Sequence, residues 1–93
     1  MSPDRDDILP RRMFYCYILQ SQKSGRYYVG STADLEARLL EHNSGRVTAT
    51  HSKGPWERVY EEEFATRSAA CTREKQLKSW KSAVALANLI ASR

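Results

Sequence analysis

Tyr17, Tyr28, Arg38, His42 and Glu74 are the side chains of this chain whose chemistry and spacing could place reactive groups together. Arg38 and His42, four residues apart, share one border of a helix, where a guanidinium and an imidazole can hold a phosphate. The same pattern suits an ordinary amphipathic border, where arginine lays its methylenes on the core and keeps its head in water. Glu74 is odder. At 100° per residue it falls about 40° from Ala70, inside the apolar arc that Ala70, Cys71 and Leu77 define on another helix. A carboxylate there needs a cationic partner, a metal ion or a notch open to water. Tyr15, Tyr17, Tyr27 and Tyr28 crowd one hairpin, although most strand tyrosines are packing residues with a wet hydroxyl.

The elements that must position these groups are legible. Residues 14–20, FYCYILQ, and 26–30, RYYVG, read as two strands joined by the SQKSG turn. Tyr17 and Tyr28 share a face only if paired residues sum to an odd number, which a four-residue loop over 21–24 provides and a five-residue loop does not. Ser31, with Asp34 three residues on, resembles a capping box and starts a helix over about 32–43, stopped by Asn43-Ser44-Gly45. Residues 45–55 form a basic loop, and 56–64, WERVYEEEF, a third strand of imperfect alternation. Thr66 caps a helix running to about Trp80. Ser82 caps a last helix with Ala83, Leu86, Leu89 and Ile90 in one stripe. The expected fold is mixed α/β (α+β): a small three-stranded antiparallel sheet flanked by three helices, in the order ββαβαα.

At 93 residues there is room for one domain. Residues 1–12, with three Asp, three Arg and two Pro, read as a disordered tail ahead of a domain over 13–93. That opening has no apolar run of a secretory signal, and no stretch approaches the roughly 18 apolar residues of a membrane span. Cys16 and Cys71 lack C-x-x-C spacing, so free thiols and a cytoplasmic location are expected. A net charge of +4 and a pI near 9.3 suit an anionic partner without naming one.

The segment Tyr15-Cys16-Tyr17, then Tyr28-Val29-Gly30, then Arg38, His42 and Glu74 resembles the GIY-YIG nuclease superfamily, over residues 13 to about 90, and in particular its small stand-alone bacterial members. The incision domain of the excision-repair excinuclease is a relative. The order and spacing of all the motifs carry the likeness, since a lone Tyr-Val-Gly would be weak. The first motif departs from its name, reading Tyr-Cys-Tyr. Asn88 is the candidate for a late asparagine used by some members, but the helical wheel turns it away from the Leu86, Leu89 and Ile90 stripe, so that role is not carried over.

The resemblance implies a divalent-metal-dependent endonuclease that hydrolyses phosphodiesters in DNA, structure- rather than sequence-selective, with a place in repair or recombination. Tyr17, Tyr28, Arg38, His42 and Glu74 are then catalytic. Glu74 would hold Mg²⁺ or Mn²⁺, Arg38 would neutralise the phosphate, and the tyrosines would orient the attacking water or take its proton, with His42 as the rival base. Arg46, Lys53, Arg73, Lys78 and Lys81 would grip the nucleic-acid backbone, each equally suited to a solvated surface. Gly30 would let a phosphate approach a helix N-terminus, although a simple turn glycine has the same spacing. DNA is the expected polymer with RNA as the other choice, there is no membrane role, and a protein partner could supply specificity. The chain would act as a monomer or weak dimer. The rival class is a non-catalytic nucleic-acid-binding adaptor that keeps the fold.

Overall fold

The computed structural model describes residues 12–92; residues 1–11 of the expected tail lie outside the described residues. Strands β1 (Phe14–Ser21), β2 (Tyr27–Thr32) and β3 (Trp56–Phe64) form one antiparallel sheet in the order β2-β1-β3. Helices α1 (Leu35–Asn43), α2 (Arg67–Trp80) and α3 (Ala83–Ala91) complete the order ββαβαα, as expected, with a short 3₁₀ turn at Thr48–Thr50. The central strand β1 is buried on both faces, which is why its sequence is a continuous apolar run rather than an alternation. Cys16 and Ile18 pack with Val29, Tyr60, Leu77 and Leu86 beneath α2 and α3. On the other face, Tyr17 and Leu19 pack with Trp56, Leu35 and Leu39 beneath α1.

The β1–β2 ladder pairs Tyr17 with Gly30 and Leu19 with Tyr28, an odd sum of 47 throughout. Tyr17 and Tyr28 therefore face the same way. Ser21 N–H donates to Arg26 O at 2.8 Å, so the four-residue loop spans 22–25, one residue later than the sequence predicts. Gly25 takes φ +79 in that loop, a left-handed conformation that glycine adopts at little cost. A bulge shifts the β1–β3 register between Ile18 and Leu19, and this explains the broken alternation of the third strand. Trp56 and Tyr60, both even-numbered, are buried in opposite cores.

Thr66 and Ser82 cap α2 and α3 as expected, accepting from Ala69 N and Ala85 N at 3.1 Å. The first helix starts differently. Asp34, not Ser31, is its cap and accepts from Ala37 N at 3.1 Å, while Thr32 Oγ1 accepts from Asp34 N. β2 runs on to Thr32, so Ser31 is held in the ladder opposite Cys16 and cannot turn into a cap. On α3, Leu86, Leu89 and Ile90 reach the core as expected, but Ala83 is exposed. Both cysteines are free.

Leu77 is 1% exposed and joins α2 to the sheet, whereas Leu40 on α1 is 71% exposed. Leu77→Ala should cost about 2–5 kcal/mol in urea unfolding, and Leu40→Ala within about 0.5 kcal/mol. Equal losses would contradict this packing.

Candidate active site

Under α1, three polar side chains form a buried chain. The Tyr17 hydroxyl lies 2.9 Å from His42 Nε2, and His42 Nδ1 lies 2.8 Å from Thr50 Oγ1. Tyr17, His42 and Thr50 are all 2% exposed or less. Thr50 directs its hydroxyl to Val47 O at 3.4 Å, which leaves its oxygen to accept from Nδ1–H. Nε2 is then the bare nitrogen, and the Tyr17 hydroxyl donates to it. Tyr28 stands edge-on to the imidazole, ring centroids 5.0 Å apart, and to Trp56 at 6.4 Å.

Gly30 makes room for this arrangement. A Cβ at residue 30 would lie 2.6 Å from Tyr17 Cζ, inside the phenol. The glycine is neither at a turn nor at a helix N-terminus, but mid-strand, opposite Tyr17. Its packing duty is thus to let the ring of one strand lie over the backbone of the next.

Burial sets the charge states. The Tyr17 phenol is pushed up to about 12 chiefly by desolvation, raised further by Tyr28 and Glu74 and pulled back by the nearby Arg38 guanidinium. His42 is pushed down to about 4, first by desolvation and then by Arg38, with Glu41 opposing. His42 is not on the helix border shared with Arg38, as the wheel predicts. It turns inward because both ring nitrogens find partners there, while Arg38 stays near the surface and bonds Glu41 at 2.9 Å.

Glu74 belongs to the opposite side of the sheet. Its Oε1 accepts from Ser31 Oγ at 2.6 Å, and its Oε2 pairs with Lys78 Nζ at 2.6 Å, one turn along α2. The carboxylate inside the apolar arc therefore has a cationic partner, and at 20% side-chain exposure it also meets solvent. Lys78 Nζ also lies 5.8 Å from the Tyr28 ring centroid, so Glu74 and Tyr28 meet around the edge of β2. The site straddles that edge, with phenols and imidazole on one face and the carboxylate on the other. Among the described residues no three His, Cys, Asp or Glu stand together. One carboxylate with a neighbouring hydroxyl nevertheless suits a hard cation that takes its remaining oxygens from water and substrate phosphate.

The remaining basic residues separate. Arg73 makes two hydrogen bonds to Glu62, at 2.9 and 3.1 Å, and lies over Trp80 and beside the Tyr60 phenol. Arg46 is exposed beyond α1, and Lys53 is exposed beside the hairpin tip, its carbonyl accepting from Ser21 Oγ at 2.7 Å. Lys81 closes α2 near Tyr28. Sequence reasoning missed two partners. Ser31 looks like a cap, and Thr50 sits in an irregular loop eight residues past His42, where no periodicity signals a contact.

Fold and site together define a nuclease-type domain. The GIY-YIG catalytic domain matches residues 13–88, and the chain belongs to that family. It is similar to the UPF0213 protein of Bacillus pumilus, 40% identical over 67 residues covering 71% of this chain and 67% of that one. The UPF0213 protein of Haloquadratum walsbyi is 40% identical over the same share of this chain and 74% of its own. The solution structure of a UPF0213 protein from Bacillus halodurans aligns over 87% of this chain and 85% of that chain, with TM-score 0.56 and 28% identity.

His42 titrates near 4 in the folded chain against an ordinary value of 6.5, so between these values the unfolded chain binds the extra proton. Its contribution to stability is complete above pH about 6.5, declines as pH falls toward 4 and is flat below. The span is on the order of 3 kcal/mol. In urea unfolding across this range, the difference between wild type and His42→Gln should shrink as the pH is lowered; a pH-independent difference would show that the imidazole is not held neutral.

Proposed function

We propose that this chain is a divalent-metal-dependent endonuclease that hydrolyses phosphodiester bonds in DNA. The observation that carries the reading is the buried Tyr17–His42–Thr50 chain. A core needs no such polar relay, and three apolar side chains of similar shape would fill the space without its desolvation cost.

The relay supports Tyr17 as the group that handles the water. His42 has both ring nitrogens engaged, Nε2 by Tyr17 and Nδ1 by Thr50, and keeps none for the water. With the phenol pushed up to about 12 and the imidazole pushed down to about 4, both by burial, the two do not exchange a proton at rest. Tyr17 therefore stays neutral, with its proton committed to Nε2 and its oxygen left to accept from Arg38 and from the attacking water. As the water oxygen bonds to phosphorus, its proton becomes acidic. That proton passes to Tyr17 while the Tyr17 proton passes to His42, so no free phenolate forms. Arg38, exchanging Glu41 for a phosphate oxygen, offsets the developing charge. The Tyr28 ring walls the site beside His42 and Trp56 and leaves its phenol to orient the water.

Glu74, with Ser31 beside it, would hold Mg²⁺ or Mn²⁺ once Lys78 yields its place. The ion would supply Lewis-acid relief of charge on the phosphoryl oxygens. Arg46, Lys53 and Lys81 remain as contacts to the backbone of the polymer, whereas Arg73 is engaged by Glu62 and drops from that set. With no base-reading element among the described residues, selectivity would follow nucleic-acid structure, in keeping with a role in repair or recombination of cytoplasmic DNA, alone or with a partner that directs it.

On supercoiled, flap, branched and single-stranded substrates with Mg²⁺ or Mn²⁺, cleavage should appear and should fall about 10²–10⁴-fold in Tyr17→Phe and His42→Ala. Glu74→Gln should lose it to a similar degree, and Thr50→Val, which only frees the ring, about tenfold. Binding without cutting on every substrate, indifferent to Glu74→Gln, would instead identify a non-catalytic adaptor.

A further inference from the structure

A cleft of about 390 Å³ opens beside Tyr28, between the β2 edge and the turn joining α2 to α3. Its volume lies within the roughly 300–1,000 Å³ typical of small-ligand sites. Val29, Leu77 and Leu86 give it an apolar floor. Arg26 and Lys81 give it a cationic rim, Lys78 between them is paired with Glu74, and no Asp or Glu is among the described residues that line it.

Lys81 supplies a second observation. It ends α2 at φ +50, ψ +37, the left-handed conformation that helix C-termini usually give to glycine. A lysine held there keeps a charged side chain at a backbone position that disfavours it, and strain of this kind concentrates at binding sites.

We propose that this cleft seats an unpaired nucleotide of the substrate strand, its base on the apolar floor against Tyr28 and its phosphates on Arg26 and Lys81. A flat ring bearing an attached anion is the ligand that an apolar floor under a cationic rim fits. An acidic peptide has the charge without the ring, and a regular duplex keeps its bases stacked out of reach. The inference rests on the nuclease reading. Tyr28 and Lys78 belong to both places, so a nucleotide seated here is continuous with a phosphate at Tyr17 and Arg38. The cleft would thereby favour cutting next to unpaired nucleotides, with DNA and RNA sharing the recognised chemistry.

The test is fluorescence anisotropy of the whole chain, in EDTA so that binding is read without cleavage, on oligothymidylate, oligouridylate and a blunt DNA duplex of equal length. Both single strands, or one of them, should bind about tenfold or more tighter than the duplex. Lys81→Gly should weaken single-strand binding about tenfold while its melting temperature stays equal or rises, because glycine suits the backbone. Arg26→Ala, in a loop, should weaken it similarly. The preferred single strand assigns the sugar. Unchanged single-strand binding in both variants, an equal loss on the duplex, or displacement by polyglutamate at equal charge would each overturn the cleft assignment. Cleavage reports separately: intact single-strand selectivity without any cleavage would sink the catalytic reading and leave the cleft standing. Normal cleavage with binding indifferent to both variants would do the reverse.

Discussion

The ring of Tyr17 lies over the backbone of Gly30 on the neighbouring strand, and the rest of the site hangs on that contact. Any side chain at residue 30 would occupy the space of the phenol and displace it from His42. With glycine there, the hydroxyl meets Nε2, and the far ring nitrogen is pinned by a threonine from the loop after α1. The contact also needs the odd-sum hairpin register. A slip of one residue would carry Tyr28 to the other face and place a side chain, Val29 or Ser31, opposite Tyr17. Strand register, a missing Cβ and one buried imidazole are thus a single constraint expressed at three levels.

Charge in the free protein is balanced pair by pair. Arg38 has Glu41, Glu74 has Lys78 and Ser31, and the histidine between them is neutral. No buried side-chain polar atom among the described residues lacks a hydrogen-bond partner. Both ion pairs are partly exposed, so each is weakly held, whereas the Tyr17–His42–Thr50 chain is buried and fixed by a hydrogen bond at each ring nitrogen. In the proposed reaction, rigid hydrogen bonding would orient the water-handling group, and the exchangeable ion pairs would hold the binding groups until substrate arrives.

Much of this is legible in the residues themselves. Three strands, three helices, two of three helix caps and the parity of the hairpin follow from local patterns, because apolar runs, Ser and Thr before periodic segments and loop length act over a few residues. Glu74 stands out because a carboxylate interrupts an apolar arc, and its cationic partner is one turn away on the same helix. What stays hidden depends on contacts between distant elements. Ser31 satisfies the pattern of a cap, and only the extension of β2 to Thr32 turns it toward Glu74, 43 residues later. Thr50 has no pattern at all. His42 falls on a border in projection because a helical wheel knows the angle of a residue but not the depth of the groove it enters.

Helix α2 shows how so small a domain joins these parts. Leu77 anchors the helix in the core, and the Glu74–Lys78 pair on the adjoining edge reaches Tyr28 at the rim of β2. Lys81, at the left-handed end of the same helix, sets the limit of the basic cleft. Residues 74, 78 and 81 follow at i, i+4 and i+7, the spacing that keeps side chains in line along one face. One face of one helix therefore spaces the carboxylate from the cationic rim at about one and two turns, roughly 6 and 10 Å along its axis. Because Leu77 is packed, that ruler cannot slide against the sheet without emptying the core. The distance between the candidate catalytic edge and the cleft is fixed by the same burial that holds the fold together.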